Sequence, residues 1–191
     1  LRLDQHELSR CLAITPDEQS FLLGTVWSLR LFDRQGRQIW QVPVPANVWA
    51  VNIAGNGPVA VAALGDGTIR WYRMADGREL LAFFPHPDRR RWMVWTPSGY
   101  YDAAPGGEAL LGWHKNYGRA AAADFFPTDR FRSVSYRPDI VAKMVSTLDE
   151  REAANLRGRA AVAHRPSRPS FAESHRRGGV PHPSNGELAA H

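Results

Sequence analysis

Ser28-Leu29-Arg30-Leu31-Phe32 and Thr68-Ile69-Arg70-Trp71-Tyr72 carry the reading of this chain, because the second stretch is the first shifted by 40 residues and matches it position by position in residue class. A further shift of 41 carries Tyr72 to Trp113, and the turn glycines Gly36, Gly77 and Gly118 recur at the same spacing of 41. Upstream, Ile14, Ile53 and Trp95 stand 39 and 42 residues apart. Each is followed by a turn sequence: Thr15-Pro16-Asp17, Ala54-Gly55-Asn56-Gly57 and Thr96-Pro97-Ser98-Gly99. Self-similarity at a fixed period of this size marks a repeat architecture. About three units of about 40 residues are present.

The second unit resolves into four strands: Val48 to Ile53, Pro58 to Ala63, Thr68 to Arg73 and Arg78 to Phe84. Gly65-Asp66-Gly67 and Ala75-Asp76-Gly77 separate the last three, and both allow the positive φ of tight hairpins. Four antiparallel strands per unit describe a propeller blade. A lone four-stranded sheet exposes both apolar faces, so such units are stable only when stacked. All seven tryptophans fall between Trp27 and Trp113, which places the largest buried surface in this region.

The third strand of the first unit ends on Phe32-Asp33, and in this the sequence resembles the WD-repeat β-propeller family, whose blades end that strand on an aromatic followed by Asp. The other two units read Tyr72-Arg73 and Trp113-His114, and no unit carries the family's Gly-His pair. Phe32, Tyr72 and Trp113 are the expected structural aromatics of the repeat. The third unit, with Trp95-Thr-Pro-Ser-Gly-Tyr-Tyr-Asp-Ala103, Leu110-Leu-Gly-Trp-His114, Ala123-Asp-Phe-Phe-Pro127 and Tyr136-Arg-Pro-Asp-Ile-Val141, is similar to the final blade and exit segment of long bacterial WD-repeat proteins. Some of those continue into a caspase-like cysteine peptidase domain. The resemblance implies an all-β, partial WD-like propeller of about three four-stranded blades, followed by one α-helix and a disordered tail.

The expected organisation is a lead-in from a preceding blade at 1–8, blades at 9–45 and 46–87, a final blade at 88–127, an exit segment with an amphipathic helix at 128–157 and a disordered tail at 158–191. Propellers close with four to eight blades, so three imply a fragment of a larger ring, pairing with another chain, or an open stack; the fragment is favoured. Pro138 at a first helical turn, with Ile140, Val141, Met144, Val145 and Leu148 at helical spacing, predicts one amphipathic helix running to near Leu156. It is expected to pack on the propeller edge, with a partner-docking helix as the alternative. Beyond Gly158 the chain is rich in Arg, Pro, Ser, His and Gly and too poor in apolar surface to order itself.

The net charge of +5 raises the question of nucleic acid, but residues 1–150 carry 17 basic against 16 acidic side chains and residues 151–191 carry 7 against 3. A basicity confined to the tail, with Phe171 as its lone aromatic, argues against a nucleic-acid partner. No apolar run reaches the roughly 20 residues that cross a bilayer, so no membrane partner is expected. A single cysteine excludes internal disulfides and fits a cytoplasmic setting. Cys11 lies in a strand-like apolar run and reads as a packed thiol rather than a nucleophile.

Chemistry-bearing patterns are sparse. The glycine turns at 65–67 and 105–107 precede no helix and cradle no phosphate. Asp102, His114 and Asp124 share a unit but lack a nucleophile elbow, so no catalytic residue is expected. His164, His175, His182 and His191 have spacings that fit no metal site. No cofactor is expected. The dense charge cluster Arg89-Arg90-Arg91, in the loop between the second and third units, is the candidate partner-binding loop for an acidic protein. These features point to a non-enzymatic scaffold for protein–protein interaction. The alternative is the regulatory or sensing segment of a caspase-like peptidase whose catalytic domain lies elsewhere, and a third reading gives the segment no independent role.

Overall fold

The structure, a computed structural model, describes residues 3–115, 124–162 and 187–190. The repeated stretches become equivalent strands. The first sheet has the order β1–β2–β3–β4, from Ser9–Ile14, Ser20–Thr25, Ser28–Asp33 and Gln38–Pro43. The second begins with β5 (Val48–Ile53), β6 (Val59–Leu64), β7 (Ile69–Arg73) and β8 (Glu79–Pro85), all antiparallel. Both units are up-and-down meanders. Their hairpins close where the sequence supplies turn chemistry: Asp33 accepts from the backbone N–H groups of Gln35 and Arg37 at 3.0 and 2.8 Å, and Gly77 adopts φ 74°.

Alternation along the strands produces two-sided sheets that stack. Leu22, Leu29 and Leu31 of the first sheet meet Val48, Ala60, Ala62, Leu64 and Tyr72 of the second in one core. The Trp40 indole N–H donates to the Met74 carbonyl at 2.8 Å, tying the layers together. Gly77 lies beneath that ring, where a Cβ would come within 2.8 Å of Trp40 Cε3. One glycine thus serves both a positive-φ turn and a close approach between layers. Cys11 packs into this interface, its thiol donating to the Val48 carbonyl at 3.7 Å, and burial pushes its pKa up.

The third unit distributes its strands differently from the single new sheet expected. β9 (Trp92–Trp95) hydrogen-bonds to the free edge of β8, and β10 (Tyr101–Ala103) follows it, so the second sheet has six strands in the order β10–β9–β8–β7–β6–β5. β11 (Leu111–Lys115) and β12 (Asp124–Pro127) form a separate sheet with β13 (Glu187–Ala190). The cause is local at the 86–91 loop. Asp88 accepts from the N–H groups of both Arg90 and Arg91 at 2.9 Å, which turns the chain back on itself. Phe83 on β8 then contacts both Trp71 and Trp92, at centroid distances of 6.5 and 6.2 Å.

The exit segment is also cut more finely than one continuous helix. It comprises α1 (Arg132–Ser135), α2 (Pro138–Val141), α3 (Met144–Thr147) and α4 (Glu150–Val162). The break has a capping explanation. Leu148 takes the left-handed conformation at φ 55°, and Asp149 accepts from the N–H groups of Arg151 and Glu152 at 2.9 and 3.0 Å, starting a new helix. Most of the predicted apolar face still turns home, as Ile140, Val141, Met144 and Ala153 cover Val59, Leu80 and Leu81 on the far face of the second sheet, whereas Val145 is exposed. Packing against the stack therefore prevails over the docking-helix alternative. α4 continues through Val162 and β13 pairs with β11, so two pieces of the tail that composition reads as unstructured carry regular structure. Residues 163–186, with His164, His175 and His182, lie outside the described residues, as do Gly118 and His191.

Candidate protein-interaction surface

The arginine common to the two quoted stretches organises a buried polar network in each sheet. Arg30 Nε donates to Ser28 Oγ at 3.1 Å and Nη1 to Gln38 Oε1 at 3.0 Å. Arg70 repeats the pattern, with Nε on Thr68 Oγ1 at 3.1 Å and Nη1 on Glu79 Oε2 at 3.0 Å. Each guanidinium holds a hydroxyl two residues back and a side chain of the next strand, which fixes strand register from within the sheet. Asp66 completes the Arg70 set at 3.5 Å. Burial pushes the Glu79 carboxyl up, opposed by the Arg70 guanidinium, and burial also raises the Tyr72 phenol well above its usual range.

In the first sheet the completing acid comes from outside the repeat. Glu7 is buried and accepts from Arg30, Thr25 and Ser28, while Asp4 accepts from Arg30 at 2.6 Å. Burial pushes the Glu7 carboxyl up, but hydrogen bonds from Ser28, Thr25, the Asp4 backbone and Arg30 outweigh it and hold the pKa below the ordinary 4.5. A carboxylate with a lowered folded-state pKa stabilises the fold fully above its unfolded value and loses that contribution as pH falls through the folded one. As pH falls below the ordinary 4.5, stability is expected to drop more steeply in the parent than in Glu7→Gln, as measured by urea melts at each pH. Glu79, raised in the folded state, works in the opposite direction.

The three aromatics read from the repeat lie on β3, β7 and β11. Phe32 is buried and stacks on Phe21 at 5.3 Å. Tyr72, one sheet on, is buried between the layers. Trp113 lies on β11, opposite Phe126 in register; its side chain is outside the described residues. Of the three residues weighed as a triad, Asp102 lies within β10 and accepts from the N–H of its neighbour Ala103 at 2.9 Å. His114 and Asp124 belong to the other sheet, one residue out of register.

Strand direction alternates, so the turns after β2, β6 and β8 and the connection from β4 to β5 all lie at one end of the stack. That end carries Arg89, Arg90 and Arg91. Their loop is a hairpin within one sheet rather than a crossover between layers, because β9 pairs with β8. The three arginines are not equivalent. Arg91 Nε is bound by Asp88 Oδ2 at 2.6 Å, which holds the Asp88 carboxyl well below the usual carboxylate range. Arg89 and Arg90 are exposed, and among the described residues neither guanidinium has a hydrogen-bond or ion-pair partner. Arg89 itself sits at φ 58°, a conformation stabilised by its N–H donating to the His86 carbonyl at 3.0 Å.

Sequence reasoning did not single out the aromatic part of this end. Trp49 is 58% exposed with the Arg10 guanidinium 5.2 Å from its ring centroid, and Trp27 is 43% exposed in the β2–β3 turn. The acids nearby are already engaged: Asp66 by Thr68 and Arg70, Asp88 by Arg91. The opposite end interleaves Asp17, Glu18, Asp33, Asp76 with Arg34, Arg37, Arg73, Arg78. A signal existed in the sequence, since both tryptophans sit beside turn residues, but strand position alone does not reveal which aromatics remain uncovered.

No family profile matches the sequence, and no curated protein matches it. Among solved structures, the chain is similar to U3-55K at 15% identity and TM-score 0.42, over 50% of this chain and 38% of that one. It is similar to the WD40 repeats of RRP9 at 16% identity and TM-score 0.42, over 53% of this chain and 40% of that one. BamB from Moraxella catarrhalis matches at 19% identity and TM-score 0.37, over 50% of this chain and 34% of that one. The chain thus spans 34–40% of the length of these three proteins. Among the described residues, no helix is long and apolar enough to cross a membrane.

Proposed function

We propose that this chain is a non-enzymatic scaffold for protein–protein interaction that engages an acidic partner through the end of the stack bearing Arg89 and Arg90. The observation that carries the reading is the pair of uncommitted guanidinium groups on a loop stiffened by Asp88 and Arg91, at an end whose acids are already neutralised. A pre-ordered loop binds with less loss of conformational freedom than a floppy one. The buried polar groups of the two sheets, by contrast, are consumed by the Arg30 and Arg70 networks, which build sheets rather than transform a substrate.

A fluorescein-labelled glutamate-rich peptide, titrated by fluorescence anisotropy, tests this. Arg89→Ala/Arg90→Ala is expected to weaken binding about tenfold, a change of about 1.4 kcal/mol, and added salt to weaken the parent complex further. An affinity unchanged by the double substitution removes the loop from the interface. A lysine-rich peptide that binds as well removes the charge argument.

A further inference from the structure

Two side chains of the β8–β9 loop converge on one carboxylate oxygen. Asp88 Oδ2 accepts from Arg91 Nε at 2.6 Å and lies 3.1 Å from His86 Nδ1. That ring nitrogen also accepts from the Asp88 backbone N–H at 3.3 Å, which requires Nδ1 to carry a lone pair. Arg91 Nη2 stands 3.3 Å from both ring nitrogens. A guanidinium has only donors, so this contact too needs a ring nitrogen that can accept. These contacts belong to the neutral imidazole, and they leave Nδ1 and Asp88 Oδ2 close together with no proton between them.

A proton on the ring reverses each preference. An imidazole takes one up from solvent within about pH 5 to 8, and both nitrogens then donate. Arg91 Nη2 loses its acceptor and meets a like charge, while the new Nδ1–H finds Asp88 Oδ2 already in place. The charged groups that face the ring are Asp88 and Arg91, both of its own loop; among the described residues no side chain of another element hydrogen-bonds or ion-pairs with it. The backbone of the loop does not depend on Oδ2. His86 N–H donates to the Arg91 carbonyl and Arg89 N–H to the His86 carbonyl, each at 3.0 Å, and Asp88 Oδ1 takes the N–H groups of Arg90 and Arg91. An exchange of partners at Oδ2 therefore leaves the turn standing, and the Arg91 side chain, 38% exposed, has solvent to move into.

We propose that His86 is a proton switch for the basic end of the stack: its protonation transfers Asp88 Oδ2 from Arg91 to the imidazole and releases the Arg91 guanidinium as a further free cation beside Arg89 and Arg90. The consequence for binding rests on the reading of this loop as the contact for an acidic partner. At neutral pH the loop offers that partner two uncommitted guanidinium groups. In mild acid it offers three on an unchanged backbone, the ring's own charge being matched by Asp88.

Side-chain NMR of the full chain, free of any partner, tests the switch itself. The Arg91 Nε–H resonance, set apart from that of exposed Arg90 by its bond to Asp88, is expected to move to the Arg90 position as pH falls, with the same midpoint as the His86 ring protons. In His86→Gln it is expected to stay in place. An Arg91 resonance that does not move while His86 titrates overturns the proposal, and so does one that moves equally in His86→Gln. A fluorescein-labelled glutamate-rich peptide then reads the consequence, since its side chains stay mostly ionised at about pH 5.5. The parent is expected to gain about fivefold in affinity between about pH 7.5 and pH 5.5 over any gain shown by His86→Gln, the other histidines being common to both. An equal gain in the two proteins overturns the coupling to binding. Movement of the Arg91 resonance with no peptide bound at either pH upholds the switch and removes the acidic partner.

Discussion

Replacing Arg30 with Met is expected to lower the unfolding free energy by about 3–5 kcal/mol, because it strands a buried carboxylate. The Arg30 and Glu7 side chains are 3% and 0% exposed, so water cannot take over the lost interaction. Thr25 and Ser28 would still donate to Glu7, but neither supplies charge. Against a typical domain stability of about 5–15 kcal/mol this is a large fraction. Adding Glu7→Gln should recover more than half of the loss, since the neutral amide keeps an acceptor for both hydroxyls and needs no counter-charge. Urea melts of the parent, the single and the double variant measure this directly. A single variant within about 1 kcal/mol of the parent would show that the network is dispensable.

The second large effect is expected at the helical cap. Ile140 is 0% and Met144 1% exposed against Val59, Leu80 and Leu81, so truncating either to Ala removes its transfer energy and leaves a cavity. Such changes cost about 2–5 kcal/mol each. Val145, the neighbour of Met144 but turned outward, provides the control. Val145→Ala is expected to shift stability by less than about 0.5 kcal/mol. Equal losses at positions 144 and 145 would mean that α3 does not rest on the sheet. The comparison also separates the packed cap from a helix held only by its ends, since Ser98 and Glu150 join the β9–β10 turn to α4 independently of this face.

Charge and aromatic placement together give the basic end its character, and the reason is geometric. An alternating strand sends successive turns to opposite ends, so a loop's charge matters only in company with the loops that share its end. Arg89 and Arg90 keep their charge free because Asp88 is spent on Arg91 and on two backbone N–H groups. A reading that counts three arginines overstates the available charge by one.

Local physics was legible in the sequence. The 40-residue period, the positive-φ turn at Gly77 and the alternation of side chains within strands each depend on a few neighbouring residues, and in the second unit they located β5 to β8 within a residue of their ends. The burial of Phe32 and Tyr72 followed from the same period. What tertiary structure decided was where each face and edge found its partner. β9 pairs with the edge of β8 rather than opening a new layer because Asp88 turns the chain and Phe83 meets Trp92 across the strands. The predicted single helix breaks at Leu148 because Asp149 caps a new one, and its pieces take the face that another sheet would fill. Glu7 completes the Arg30 network from 23 residues away, outside the repeat and invisible to its period. Periodicity records which residues share a face; it holds no information about which distant segment covers that face, because that choice depends on contacts between residues far apart in the chain.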